Sequence, residues 1–379
     1  MEKTDKSCFK ILIFKMTIKI AIIGDSFIPS KIFKSSIERK IKKIRPKIKI
    51  KYSLKDFNEK KLKPFISSEI SEAFGNLNDV IKFAKNSNIL ITTFAPITSQ
   101  VLKKCQNLLV VACGRGGPIN VNINAATNNK TMVLYAPGRN IDAVVEYTIA
   151  NIINLIRKIP QAIEYVKRKK WTTPLEDTFL KPSGIEIHAK TVGIIGYGAI
   201  GKKLAKVFIS LNVNVLIYEP FAKQLDSIGY KYSSSLKNLF NKSDIITVHA
   251  RINKKGKPII GYKEFNYMKK KPYIINTSRS QCVKTKDLIS AYKRKKIKGF
   301  HLDVYDKEPL SNKNELYKLI GDNVQLTPHA AGVSRDIPYK TAEIVSDEII
   351  KLFKNKNPNF VTNRKTISFV KKEIRKLLN

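Results

Sequence analysis

Strand-like and helix-like stretches alternate along the chain. TIKIAIIG (17–24), IKIKY (48–52) and ILITTF (89–94) are apolar or alternating runs of strand length. Val80–Lys85 and Ser99–Cys105 carry helical spacing between them. LLVVACG predicts another strand that ends in the loop GRGGPINVN, and Thr131–Tyr135 predicts a short one. A long apolar helix is expected over 140–158, followed by a basic, polar stretch to Pro182 that holds the single tryptophan, Trp171. Six more strand-like runs follow, in TVGIIG, VLIYE, DIITVH, YIINTS, GFHLDV and NVQLT, most of them separated by helical segments. Residues 336–354 predict another long helix, KNPNFVTN a loop or short strand, and 366–379 a basic amphipathic helix or tail. Strands alternating with helices imply parallel sheets covered on both faces.

One junction is specific. In TVGIIGYGAIG the apolar run Val192–Ile195 meets Gly196, Gly198 and Gly201 in G-x-G-x-x-G spacing, and a helical segment begins at Lys202. Eighteen residues past Gly201, Glu219 closes the run VNVLIYE. Strand, glycine turn, helix and a strand ending in an acid form the pattern of a dinucleotide site. Gly196 permits the tight turn, Gly198 lets a pyrophosphate approach the backbone, and Gly201 lets helix and strand pack closely. The N–H groups of Tyr197, Ala199 and Ile200 lie in the same turn, where a helix start favours phosphate charge. A carboxylate at Glu219 would accept the ribose hydroxyls and repel a 2′-phosphate, which favours NAD over NADP.

Three polar residues follow later strands: Arg279 in IINTSRS, Glu308 in HLDVYDKEP and His329 in QLTPHAAG. In a doubly wound sheet the carboxyl ends of the strands share one edge, where the ligand sits. Hydride transfer to a ketone makes an alkoxide that needs a proton, and an imidazole can supply it near neutral pH. A carboxylate at Glu308 would orient His329 and stabilise its protonated form. Arg279 would grip a substrate carboxylate and polarise the adjacent carbonyl. The other histidines, His188, His249 and His301, read as structural.

Composition narrows the picture. The chain has 379 residues, room for two cores. Its four cysteines show no metal-ligand spacing, so no metal is expected and a reducing, cytoplasmic compartment fits. No apolar run approaches a membrane span. Residues 1–15 are expected to be a disordered extension or an artefact of the chosen start codon. The net charge of +41 raises a nucleic-acid role, but the lysines are spread over every segment and no recognition motif accompanies them, so no specific nucleic-acid partner is expected. Only 12 of the 71 basic residues are arginines. Arg115, Arg139, Arg251 and Arg279 stand near glycines or strand ends, where a planar guanidinium would recognise carboxylate or phosphate.

Together, TVGIIGYGAIGKKLAK, SDIITVH, FNYMKKKPYIINTSRS, GFHLDVYDKEPL and LTPHAAG make the chain, over roughly 16–362, resemble the D-isomer-specific 2-hydroxyacid dehydrogenases, the phosphoglycerate dehydrogenase-like group. The resemblance implies two doubly wound α/β domains. A discontinuous flavodoxin-like substrate domain (16–140 and 332–362) would hold an inserted Rossmann NAD domain (141–331), with a basic tail or helix at 363–379. It also implies Arg279 as substrate-binding Arg, Glu308 as partner of the acid/base His329, Asp303 on the nicotinamide carboxamide and the backbone near Thr277 lining the ring. The N–H groups of Arg115, Gly116 and Gly117 would bind the substrate carboxylate, and a homodimer would form through the helix at 140–158.

There are departures from the pattern. Ser280 stands where Gly follows the catalytic Arg, and His249-Ala250-Arg251 replaces His-Leu-Pro. Arg251 would then reach toward substrate or cofactor, which with Arg115 and Arg139 points to a 2-oxo acid carrying a second anionic or phosphorylated group. Thr92 and Thr93 occupy the place of an Arg in phosphoglycerate-specific members. Glu308 is a carboxylate where formate dehydrogenases have an amide. A D-3-phosphoglycerate dehydrogenase proper and a non-catalytic NAD(H)-sensing protein are the alternatives.

Overall fold

A computed structural model describes residues 17–46, 48–58, 63–173, 183–221, 229–250 and 256–378. The chain forms two compact units: residues up to Arg139 with those from Arg335 onward, and Asn140–Ser334.

The first unit opens with β1 (Ile18–Gly24), α1 (Ser30–Ile44) and β2 (Ile50–Asp56). A two-stranded hairpin, β3 (Pro64–Phe65) and β4 (Ala73–Phe74), precedes α2 (Leu77–Ala84), β5 (Ile89–Thr92), α3 (Ser99–Lys104), β6 (Val110–Cys113), α4 (Ile123–Asn128) and β7 (Met132–Tyr135). The five longer strands pair in parallel in the order β2-β1-β5-β6-β7, the flavodoxin-like order. Alternation along β1 explains the two faces. Ile18, Ile20 and Ile22 enter one core with Phe33 and Ile37 of α1, while Ala21 and Ile23 enter the other with Val80, Leu90 and Val101.

The second unit begins with α5 (Ile141–Arg157) and α6 (Ile159–Lys167), which occupies part of the basic, polar stretch. Then come β8 (Thr191–Ile195), α7 (Ala199–Ser210), β9 (Asn214–Tyr218), β10 (Tyr230–Tyr232), α8 (Leu236–Lys242) and β11 (Ile245–Val248). The unit ends with α9 (Tyr262–Phe265), β12 (Tyr273–Asn276), α10 (Thr285–Lys293), β13 (Gly299–Leu302) and β14 (Val324–Leu326). All seven strands are parallel, in the order β10-β9-β8-β11-β12-β13-β14. The order reverses beside β8, the strand that feeds the glycine turn. Val192 and Ile194 pack with Leu155 and Phe208 on one face, and Ile195, Ile246 and Ile274 with Phe240 and Leu288 on the other. Each such buried isoleucine or leucine contributes about 1.5–3 kcal/mol.

The chain then returns to the first unit as α11 (Ile337–Phe353) and α12 (Ile367–Leu378). Glu343 of α11 accepts from Ser36 at 2.5 Å and pairs with Arg39 and Lys40 of α1. The segment between the two helices covers the open edge of β7: Val361 bridges Leu134, and Tyr135 N–H donates to the Phe360 carbonyl at 3.1 Å. The C-terminal stretch is thus a helix seated by Val370 and Ile374 in the first core.

Candidate active site

The glycine turn has the geometry its residues require. Gly196 has φ +97°, and a Cβ there would lie 2.6 Å from Ala250 N. A Cβ on Gly201 would lie 2.1 Å from the Gly196 carbonyl oxygen, so α7 seats on the turn only through glycine. Gly198 differs: nothing lies within 4 Å of its Cβ position. It is the N-cap of α7 and provides no side-chain cap, so the first N–H groups of a twelve-residue helix have no cap side chain beside that open space. That cradle fits a pyrophosphate. Glu219, at the end of β9, accepts the Tyr197 N–H at 2.9 Å and the Phe221 N–H at 3.1 Å, one on each oxygen. A carboxylate has about four acceptor sites, so lone pairs remain for ribose hydroxyls. Tyr197 itself is buried and donates its hydroxyl to Tyr230 at 2.6 Å.

The ends of later strands bring Glu308 and His329 together. His329 Nδ1 lies 2.7 Å from Glu308 Oε2. An ionised carboxylate only accepts, so Nδ1 carries the hydrogen and Nε2 is left for exchange with a reactant. Burial raises the Glu308 carboxyl, but hydrogen bonds from His329 and from the Tyr305 N–H, with the charges of His329 and Arg279, outweigh it and hold it below the ordinary carboxylate range. Arg279 is exposed and donates to its neighbour's carbonyl, Ser278 O, at 2.7 Å; among the described residues no carboxylate forms an ion pair with it. Asn276 shapes its loop, accepting from Ser278 and donating to the Arg279 carbonyl at 2.9 Å. Glu308 and His329 also line an open pocket of about 710 Å³.

A family model described as "D-isomer specific 2-hydroxyacid dehydrogenase, NAD binding domain" matches residues 149–331. A D-3-phosphoglycerate dehydrogenase of Archaeoglobus fulgidus is 35% identical over 272 residues, 71% of this chain and 50% of that protein. This chain therefore spans half the length of that relative. A glyoxylate reductase of Thermofilum pendens is 32% identical over 72% of this chain and 79% of its own. The solved D-isomer specific 2-hydroxyacid dehydrogenase of Lactobacillus delbrueckii ssp. bulgaricus, in its NAD complexed form, has a TM-score of 0.70, covering 91% of this chain and 100% of that one; at 22% identity this likeness concerns the fold.

The chain belongs to the D-isomer specific 2-hydroxyacid dehydrogenase family. Its cofactor is NAD. In this family member Asp303 is fully buried. Its Oδ1 accepts from Thr327 Oγ1 at 2.5 Å and Ala330 N–H at 2.9 Å, its Oδ2 from Ala331 N–H at 2.9 Å. Thr277 is buried with its hydroxyl 2.9 Å from that of Thr148, and Ser280 is buried in a short 3₁₀ turn. His249 and His301 are buried, whereas His188, read from the sequence as structural, is exposed in the turn before β8.

The first unit carries the other named residues. The Gly116 and Gly117 N–H groups donate to no acceptor among the described residues, and no atom lies closer than 4.0 Å to either Cβ position. The Arg115 side chain is bound to Glu72 and stacks 5.0 Å from the centre of the Phe94 ring. Arg139 is partly buried, donates to Thr341 at 3.4 Å and forms no ion pair with a described carboxylate. Thr92 and Thr93 are buried. Arg251 lies outside the described residues. The site-shaping roles of Asn276, Tyr305 and Thr327 carry no sequence signal, because they depend on hydrogen bonds between strand ends rather than on spacing.

Proposed function

We propose that this protein interconverts a 2-oxo acid and the corresponding D-2-hydroxy acid with NAD. The observation that carries the reading is the His329–Glu308 pair at 2.7 Å, in the same unit as the glycine cradle and an unpaired Arg279. Held at the Gly196–Gly201 turn and Glu219, the cofactor would provide the hydride chemistry at the carbonyl carbon in either direction. His329 Nε2–H gives the oxygen its proton as the alkoxide forms, and in reverse neutral Nε2 takes it from the hydroxyl. Glu308 holds the imidazole by its other nitrogen and offsets its charge. Arg279 retains free guanidinium N–H groups for the substrate carboxylate and the polarised carbonyl. In the first unit, the unfilled N–H groups of Gly116 and Gly117, with that of Arg115, offer donors suited to a substrate anion. The Thr277 backbone would line the ring, whereas Asp303, fully buried with both oxygens engaged by Thr327, Ala330 and Ala331, presents no exposed acceptor to a carboxamide.

Arg139, and Arg251 where the chain is not described, favour substrates with a second anionic group; Arg115 is already committed to Glu72. D-3-Phosphoglycerate dehydrogenase and glyoxylate reductase among the relatives put both chemistries in the screen. We also place the protein in the cytoplasm as a homodimer. Among the described residues no helix is long and apolar enough to cross a membrane. α6 buries none of its residues, and Ile159, Ile163 and Val166 form an exposed apolar row near exposed Trp171.

The test is NADH oxidation over a panel of 2-oxo acids, phosphorylated and dicarboxylic ones included. His329→Ala is expected to lower turnover by roughly 10²–10⁴-fold with NADH affinity retained. Undiminished turnover in that variant would refute the acid–base assignment. NADH-dependent capture of a protein partner with no turnover on the panel would favour a sensing role.

A further inference from the structure

His329 is held in an unfavourable backbone state by contacts that the acid–base reading does not use. Its φ is +53°, in the left-handed region, which is costly for a residue other than glycine. One carboxylate offsets that cost from both sides. Asp303 binds the Thr327 hydroxyl two residues before His329 and the N–H groups of Ala330 and Ala331 just after it.

Thr327 is the joint of this clamp. Asp303 accepts its hydroxyl hydrogen at 2.5 Å, so that oxygen meets its other neighbour, His301 Nε2 at 3.4 Å, as the acceptor. Its carbonyl takes the His329 N–H at 3.0 Å and stands 2.8 Å from the Tyr305 hydroxyl, which also lies 3.0 Å from Leu302 O. The Tyr305 backbone N–H in turn donates to Glu308 Oε1 at 2.9 Å, the oxygen that His329 does not use. The ends of β13 and β14 are thereby joined around the imidazole and its carboxylate.

We propose that Thr327 and Tyr305 are positioning residues for the His329–Glu308 pair. Thr327 acts through Asp303 on the backbone that carries His329. Tyr305 acts through its hydroxyl on the Thr327 carbonyl and through its N–H on Glu308. The inference rests on the acid–base reading of His329, but its geometry can be tested apart from turnover.

Two readouts on the full chain decide it. With only four histidines, ¹⁵N-histidine NMR resolves the His329 ring, assigned by its loss in His329→Ala. Wild type should show Nδ1 protonated. Thr327→Val should move the ring toward the tautomer mixture of a free imidazole and lower kcat about tenfold, with the KM for the 2-oxo acid and the NADH Kd within about twofold, because misplacement costs transition-state rather than ground-state contacts. Thr327→Ser, which keeps the hydroxyl, should restore both. If Thr327→Val does not fold, Tyr305→Phe decides by the same measurements, with a kcat loss of about threefold expected. A folded Thr327→Val or Tyr305→Phe with an unchanged His329 ring and unchanged kcat overturns the proposal. Turnover that survives in His329→Ala overturns the acid–base reading instead, and the NMR arm still settles the positioning.

Discussion

Glu308 Oε2 and His329 Nδ1 stand 2.7 Å apart although 21 residues separate them in the chain, because each follows one of two neighbouring parallel strands. The pair leaves one face of the imidazole for chemistry and commits the other. Glu308→Gln keeps the shape and removes the charge. We expect roughly a 10- to 100-fold fall in kcat with NADH affinity unchanged, measured in steady state and by fluorescence titration. Equal turnover in the two proteins would show that the charge of Glu308 is irrelevant.

The three fingerprint glycines should respond differently. Gly198→Ala adds a methyl where no protein atom lies within 4 Å, so folding stability should change by less than about 0.5 kcal/mol while NADH binding weakens at least tenfold or so. Gly201→Ala drives a methyl against the Gly196 carbonyl at 2.1 Å and should destabilise the second unit by about 1–3 kcal/mol or more. Thermal melting beside calorimetric titration separates the two. Similar behaviour of both variants would mean that the space above Gly198 is not where phosphate binds.

Glu219 links cofactor choice to the glycine turn through its two backbone hydrogen bonds. Glu219→Gln removes the charge that repels a 2′-phosphate, and it also loses one of the two acceptors. We expect the NADH KM to rise and the NADPH KM to fall, so that the ratio of the two kcat/KM values drops by about tenfold. A preference for NADH that is undiminished in the variant would place discrimination elsewhere.

β1 is legible because its isoleucines alternate between two cores, and the placement of Arg279, Glu308 and His329 past strand ends because each follows an apolar run in a parallel sheet. β10 and the β3–β4 hairpin are not, since strands of three and two residues are too short to display a period. α1 is dense in lysine, which hides Phe33, Ile37 and Ile41 at four-residue spacing. The resemblance assigns the backbone N–H of Arg115 to a substrate carboxylate, while its side chain is held by Glu72, a partner 43 residues away that no local pattern announces. Thr327 and Tyr305 are ordinary residues by type, and only the meeting of two strand ends gives them a role.

The buried histidines set the response to acid. Burial lowers the imidazoles of His249 to about 3 and His301 to about 4, against 6.5 for a free side chain. In the unfolded chain both take up protons as the pH falls through 6.5, while in the folded chain they stay neutral until about 4 and about 3. The unfolded state therefore binds more protons in that window, and stability falls as the pH falls. Above pH 7 these two residues contribute no slope. Glu343 adds a second loss at lower pH. Burial raises its carboxyl, but hydrogen bonds from Ser36, Arg39 and Lys40 outweigh it and bring it to about 2 from 4.5, so its contribution is present above 4.5 and disappears on the way to 2. Denaturant unfolding at intervals from pH 8 to pH 4 should show a plateau, then a decline that begins near 6.5. The double variant His249→Leu/His301→Leu should flatten the decline between pH 6.5 and 5, whatever its effect at pH 8. A slope unchanged in that variant would mean that the two imidazoles are not the groups that charge on unfolding.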